Sequence, residues 1–206
     1  MTAAFPDGWA NVSRETIQRL ELYESLIRKW NPRINLVSPG SLDVLWTRHF
    51  ADSAQIFRLA PASAAHWADL GSGGGFPGLV IAILAAEARP GLRVTLVESD
   101  RRKATFLATA AHALGISVDI LADRIEALAP LRADVISARA LAPLGTLLGH
   151  AERHLVPGGV ALFPKGATAE AELARALEHW RFSYQKEPSK TDARGVVLII
   201  GGISRV

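Results

Sequence analysis

The sequence predicts an α/β chain. Its fold class is a doubly wound, Rossmann-like sheet, mostly parallel, with a C-terminal antiparallel hairpin and an N-terminal helical extension. Three observations predict it. From His66 onward, short apolar runs alternate with helical stretches, the pattern of right-handed crossovers that build a parallel sheet covered on both faces. A glycine-rich turn over residues 69–78 joins the first of those runs to the first of those helices. Near the C-terminus, two strands are joined by residues 188–194, too few for a helical crossover, so they must run antiparallel.

The first sixty residues read as helical. Ser13 caps a helix whose apolar positions Ile17, Leu20, Tyr23, Leu26, Ile27 and Trp30 follow the three-and-four spacing of one buried face. Pro32 is expected to end it. After an irregular stretch over 31–38, a second helix is expected over 41–59, with Leu42, Leu45, Trp46, His49, Phe50 and Phe57 on one side and Pro61 closing it. Residues 1–62 are thus an extension packed on a core of residues 63–206, in one folding unit.

In the core, a strand ends at Leu70, a helix starts at Pro77, and a strand spans 92–98 before a helix over 100–114. A strand over 118–121, a short helix, a strand over 134–137 and a helix over 142–155 follow. The last elements are a strand over 159–164, a helix over 169–179 and the hairpin strands 180–186 and 195–200. No internal repeat or low-complexity segment interrupts them.

Composition narrows the class. The 206 residues are 49% hydrophobic and 21% charged, enough apolar side chain for a packed core, which excludes a disordered or collagen-like chain. The longest apolar runs, 79–86 and 196–200, are far short of the roughly twenty residues of a spanning helix, so no membrane association is expected. The opening MTAAFPDGWA has no basic stretch before an apolar core, so a secretory signal is not expected and the cytoplasm is the natural compartment. Without cysteine there is no disulfide framework, thiolate zinc site or cysteine nucleophile, and no metal is expected. The net charge is +3, and most of the cations are Arg, which suits phosphate or carboxylate recognition. That balance allows an RNA partner without requiring one.

The glycine turn is the sharpest local signal. Its glycines permit positive φ and bring a ligand close to bare backbone. Counted from Gly73, the string Gly73-x-Gly75-x-x-Gly78 satisfies the dinucleotide fingerprint, with Glu98 about 20 residues on as the ribose-binding acid. Counted from the strand, Asp69-x-Gly71-x-Gly73-x-Gly75 resembles the first motif of S-adenosylmethionine (SAM) enzymes. A dinucleotide needs its pyrophosphate on the helix N-terminus. SAM carries a zwitterionic amino acid and a sulfonium instead, which suits an acid such as Asp69 at the strand end. The final hairpin, usual in class I methyltransferases and unusual in dehydrogenases, favours SAM. So does a chain too short for a separate substrate domain. In either count Glu98 ends the second strand and is placed to accept hydrogen bonds from ribose hydroxyls.

Six strings occur in one order: residues 31–38 (NPRINLVS), Arg48-His49 with Asp52-Ser53, residues 69–78, residues 98–107 (ESDRRKATFL), Arg124-Ile125-Glu126, and residues 137–140 (SARA). Together they resemble the bacterial small-subunit ribosomal RNA methyltransferase G family, also called glucose-inhibited division protein B, from about Trp30 to the C-terminus. The resemblance implies a class I fold, SAM as cofactor, and methyl transfer to N7 of one guanine in 16S rRNA, the guanine-527 type of site. It implies cofactor roles for Gly71, Gly73 and Phe76 in the turn, Ile125 and Glu126 after the third strand, and Arg139 after the fourth. Asp123 is a rival for the adenine amino group. Arg139 stands at a strand mouth, where it can bind the cofactor carboxylate or the RNA backbone. The chain departs from the family pattern where Ala138 separates Ser137 from Arg139, and where Gly74 replaces a common Pro.

Such a transfer needs no general base, because guanine N7 has an in-plane lone pair and no proton to lose. Alignment is then the protein's task, and no catalytic residue is assigned. No Asn/Asp-Pro-Pro-Tyr/Phe string, the mark of exocyclic-amine methylation, follows the fourth strand. The partner is 16S rRNA or the small ribosomal subunit, with the protein expected as a monomer. Candidate phosphate contacts are Arg48, Arg101, Arg102 and Lys165, with Arg33 and Lys103 behind them. Arg48 and Asp52 stand four apart on a helix and can instead pair. His49 shares the apolar face and reads as a core histidine.

Overall fold

The structure, a computed structural model, describes residues 12–206. Residues 1–11, including most of the MTAAFPDGWA stretch and the start of the expected extension, lie outside the described residues. Seven strands form one sheet in the order β3-β2-β1-β4-β5-β7-β6. These are β1 (His66–Leu70), β2 (Arg93–Val97), β3 (Asp119–Leu121), β4 (Ala133–Ser137), β5 (Leu155–Lys165), β6 (Trp180–Pro188) and β7 (Val196–Arg205). Pairings among β1 to β5 are parallel, and β7 runs antiparallel to both β5 and β6. The parallel strands therefore end on one edge. The strand order reverses between β1 and β4, which opens a crevice there.

Six α-helices cover the sheet: α1 (Arg14–Ile34), α2 (Ala51–Leu59), α3 (Gly78–Ala88), α4 (Arg101–Leu114), α5 (Leu144–His154) and α6 (Ala169–Leu177). One face buries Leu20, Tyr23 and Ile27 of α1 and Phe50 with Leu79, Ile81 and Phe106 of α3 and α4. The other buries Leu144, Leu148, Leu173 and Trp180 against Phe163 and Ile136. The N-terminal helices thus share the core of the α3–α4 face.

Ser13 caps α1 as its sequence suggests, accepting from the Thr16 N–H. Glu87 of α3 accepts from the Ser13 N–H and from both the Ser13 and Thr16 hydroxyls, which fixes α1 to α3. Pro32 does not end the helix. So close to the end its missing N–H costs one helical hydrogen bond, and the helix runs on to stop at Asn35. Asn35 adopts φ 47°, its N–H donates to the Asn31 carbonyl, and the Asn31 side chain accepts from the Val37 N–H.

The second predicted helix is also corrected. A 3-10 turn at Pro39–Ser41 and a π-helical turn at Trp46–Phe50 precede α2, which begins only at Ala51. The widened turn buries Trp46, His49 and Phe50 together. The hairpin is longer than expected, since β7 continues past Ile200 to Arg205 through Gly202 at φ 63°. A register shift between Arg181 and Ser183 absorbs the glycine pair Gly201-Gly202.

Candidate functional site

A cavity of about 1570 Å³ lies along the C-terminal edge of the parallel strands. It is larger than the roughly 300–1,000 Å³ of a single small-molecule site. The glycine turn and the ends of β2, β3 and β4 line one half, and the widened turn, α2 and the β6–β7 connection line the other.

The turn is built on Asp69, the last buried acid of β1. Its Oδ1 accepts from the Ser137 hydroxyl of β4 at 2.7 Å and its Oδ2 from the Gly78 N–H at 3.2 Å. Ser137 in turn accepts from the Trp67 indole N–H at 2.9 Å. Both Asp69 oxygens meet protein donors and the side chain is fully buried outside the cavity lining, so the acid braces the turn from below; the sulfonium role offered by its position at the strand end does not suit this geometry. Burial pushes its carboxyl up to about 6. A Cβ on Gly78 would press on Leu96 and sit 2.7 Å from Asp69 Oδ2, which is why glycine opens α3.

Above Asp69 the backbone turns at Gly71 (φ 66°) and Gly73 (φ 57°). Glu98 closes it: Oε2 accepts from the Gly73 N–H at 2.8 Å and Oε1 from the Asp100 N–H at 2.7 Å. Each oxygen keeps a second lone pair for a ligand hydroxyl, and Glu98 lines the cavity. Ile125 is buried, with its side chain on the rim of the same half, beside exposed Asp123 and Glu126. A Glu126 oxygen lies 3.7 Å from His150 Nε2. A bare backbone cradle, an apolar wall and a carboxylate with acceptor capacity are what an adenosyl group requires, so these residues suit SAM.

Phe76 is buried and sits where the two halves meet. Its ring packs on His49 at 4.8 Å, Tyr23 at 5.4 Å and Phe50 at 5.8 Å, and the Arg139 guanidinium lies over it at 5.2 Å. The Tyr23 hydroxyl donates to the Gly74 carbonyl, so α1 holds the turn directly. Burial lowers the pKa of Arg139, while Asp52, Asp69 and Tyr23 act in the opposite sense.

In the second half, Asp52 Oδ1 accepts from the Thr191 hydroxyl, and from Ser189 Oγ at 3.5 Å. One turn later Gln55 donates to the Pro188 carbonyl at 2.7 Å and accepts from the Lys190 N–H at 3.1 Å. The connection between β6 and β7 is thereby tied to α2 as a wall of the cavity. Arg48 lines the same half, exposed; it forms no ion pair with Asp52 among the described residues, despite their spacing.

The other predicted phosphate contacts are placed differently. Lys165 lines the cavity at the mouth of β5, where the Glu172 carboxylate at 2.8 Å and the Ala142 carbonyl at 3.0 Å hold its ammonium. Arg102 pairs with Asp100 at 2.9 Å on the surface of α4, beside exposed Arg101. Neither Arg101 nor Arg102 lines the cavity.

Comparison with known proteins decides the family. The family model described as rRNA small subunit methyltransferase G matches residues 16–195. The protein of that description from Ruegeria pomeroyi is 56% identical over 196 residues, covering 95% of this chain and 96% of its own. Its counterpart in Ruegeria sp. (strain TM1040) is 52% identical over 204 residues, covering 97% and 99%. The chain belongs to the rRNA small subunit methyltransferase G family.

Solved structures agree on the fold. A class I SAM-dependent methyltransferase structure from Listeria monocytogenes, so named as putative, superposes with a TM-score of 0.61 at 14% identity, covering 93% of this chain and 69% of that one. The N-methyltransferase NodS from Bradyrhizobium japonicum, solved with S-adenosyl-L-homocysteine, gives 0.55 at 17%, covering 87% and 96%. Membership in the methyltransferase G family sets aside the dinucleotide count from Gly73. Sequence reasoning missed the parts of the site contributed by Tyr23, Gln55, Ser189 and Thr191. Only Arg48-His49 with Asp52-Ser53, at one-turn spacing, offered a signal for the second half.

Proposed function

We propose that this chain transfers a methyl group from SAM to N7 of a specific guanine in 16S rRNA. The observation that supports it best is one continuous cavity, with the glycine turn and Glu98 at one end, Phe76 and Arg139 at its middle, and Arg48 and Asp52 at the other. Two ligands can meet there side by side. When bound, SAM supplies an activated methyl on a positive sulfur.

The residues of the chain bind and align. Gly71 and Gly73 present bare backbone, Glu98 accepts ribose hydroxyls, and Ile125 covers the adenine, with Asp123 or Glu126 on its polar edge. Phe76 holds the meeting point of the two halves through its ring contacts and keeps Arg139 over the site. Guanine N7 carries no proton, so no side chain has to remove one, and a dry, oriented site supplies the rate. Arg48 and the other exposed cations contact phosphate. In this reading the enzyme works in the cytoplasm as a monomer on 16S rRNA or the small subunit.

Thermal melting with saturating SAM, S-adenosylhomocysteine or NADH tests the cofactor. A ligand at about a hundred times its Kd adds about 2.7 kcal/mol of stability. The expected result is a rise with the two SAM-type ligands and none with NADH. Labelled methyl from SAM should then enter 16S rRNA, with chemical strand scission at a 7-methylguanine. Label elsewhere than N7, or a shift with NADH alone, overturns the reading.

A further inference from the structure

We infer that Asp52 reads the target base, accepting the N1–H and N2–H donors of guanine at Oδ2; this rests on the N7-guanine function proposed above. The two carboxylate oxygens are in different situations. Oδ1 is occupied by the Thr191 and Ser189 hydroxyls, whereas Oδ2 has no hydrogen-bond partner among the described residues. The side chain lines the cavity, and neither Arg48 nor Arg139 forms an ion pair with it. Half-buried anions are ordinarily satisfied, so an acceptor fixed on one oxygen and open on the other is shaped for a donor that arrives with a ligand. Burial also raises the Asp52 carboxyl above its usual range, against the opposing effects of Thr191 and Arg139.

The chemistry of the base selects the rest. If N7 and its neighbour O6 face the cofactor half, the edge turned toward α2 carries N1–H and the N2 amine. Both donors can converge on the one open oxygen, which has two lone pairs. Adenine offers an unprotonated N1 and a C–H there, and the carboxylate would face a lone pair. Of the charged groups and the histidine on that wall, Asp52 alone is placed to accept at this edge. Arg48 and Arg139 only donate, both His49 ring nitrogens are buried without partners, and Asp192 stands on the exposed rim.

The test is a single-turnover assay on small-subunit rRNA carrying guanine, inosine or 7-deazaguanine at the target position. Inosine lacks only the N2 amine, so wild-type kcat/KM should favour guanine about tenfold. Asp52→Asn keeps the shape and leaves a carbonyl for Thr191, but places an N–H₂ donor at the Oδ2 position. It should lose overall activity and bring the guanine-to-inosine ratio close to one, with the SAM melting shift unchanged. Asp52→Ala provides the same readout if the Asn variant is unstable. A wild-type ratio near one, or a variant that keeps the tenfold preference, overturns the assignment of Asp52. Methylation of the 7-deazaguanine RNA instead overturns the N7 reading on which it rests, and so separates the two failures.

Discussion

Burial holds the His49 imidazole down at about 3, and the nearby Arg139 and Arg48 push in the same direction. With 7% of its surface exposed and both ring nitrogens unpartnered, His49 is neutral at physiological pH, as its place on the apolar face suggests. Its folded pKa lies below the unfolded value of about 6.5, so the unfolded chain binds the extra proton between pH 6.5 and 3. The folded state therefore weakens as pH falls through that window, by about 2 kcal/mol at pH 5 relative to pH 7 from this group alone. Asp69 acts in the opposite sense, because its raised folded pKa of about 6 lets the native protein gain a proton first, offsetting about 1 kcal/mol. Urea titrations of wild type and His49→Phe at both pH values separate the two: the variant should lose the His49 part of the acid sensitivity and keep the Asp69 part. Equal pH dependence in both proteins would show that His49 is not held neutral. At this scale the sequence was legible where partners are close along the chain. Glu98 and the turn glycines stand in one strand–helix unit, but Asp52 and Thr191 meet across 139 residues, and no local spacing announces that pair. The partners of Lys165 were hidden for a similar reason, since the Ala142 carbonyl that helps to hold it lies 23 residues away on a separate loop.

Elements were predicted better than their ends. Apolar runs alternating with helical stretches located every strand, most plainly the central ones, because a strand buried on both faces cannot hide its composition; β1 is buried at all five positions. Ends depend on caps and turns. The stop of α1 came from the left-handed Asn35 and not from Pro32, and the break before α2 came from a π-turn whose apolar spacing still resembles a helix. Two predictions belong here. At the start of α3, Gly78→Ala puts a methyl against Leu96 and the fully buried Asp69, and should cost about 1–3 kcal/mol of stability in denaturant titrations while weakening SAM binding. In α2, Gln55→Ala removes both bonds to the β6–β7 connection. It should raise the KM for RNA severalfold and leave the SAM-induced melting shift intact, because Gln55 holds only the second half of the cavity. A loss confined to SAM affinity would place the connection elsewhere.

Across the whole molecule, the N-terminal helices are bound into the catalytic architecture. Tyr23 meets the Gly74 carbonyl, Ser13 and Thr16 meet Glu87, and Phe50 joins Phe76 in one apolar cluster with α3. A chain assembled this way should unfold in one step. Far-ultraviolet circular dichroism and tryptophan fluorescence should give coincident urea curves, with Trp30 and Trp46 reporting on the N-terminal helices and Trp180 on the far face. Two separated transitions would instead make residues 1–62 an independent unit. The parallel sheet and the crevice at its strand ends were readable from the alternation of elements, and the hairpin from a connection too short for a crossover, whereas the joining of distant parts of the chain around one cavity was not, because it depends on side chains far apart in sequence. That joining also sets an order in time. A ribosome delivers α2 and the glycine turn first, and Ser189 and Thr191 more than a hundred residues afterwards, at about 5–20 residues per second. For several seconds the growing polypeptide carries an Asp52 whose hydroxyl partners do not yet exist. The wall beside Asp52 is the last part of the cavity to be made, so the place for the RNA base is finished only when the whole cooperative unit can close.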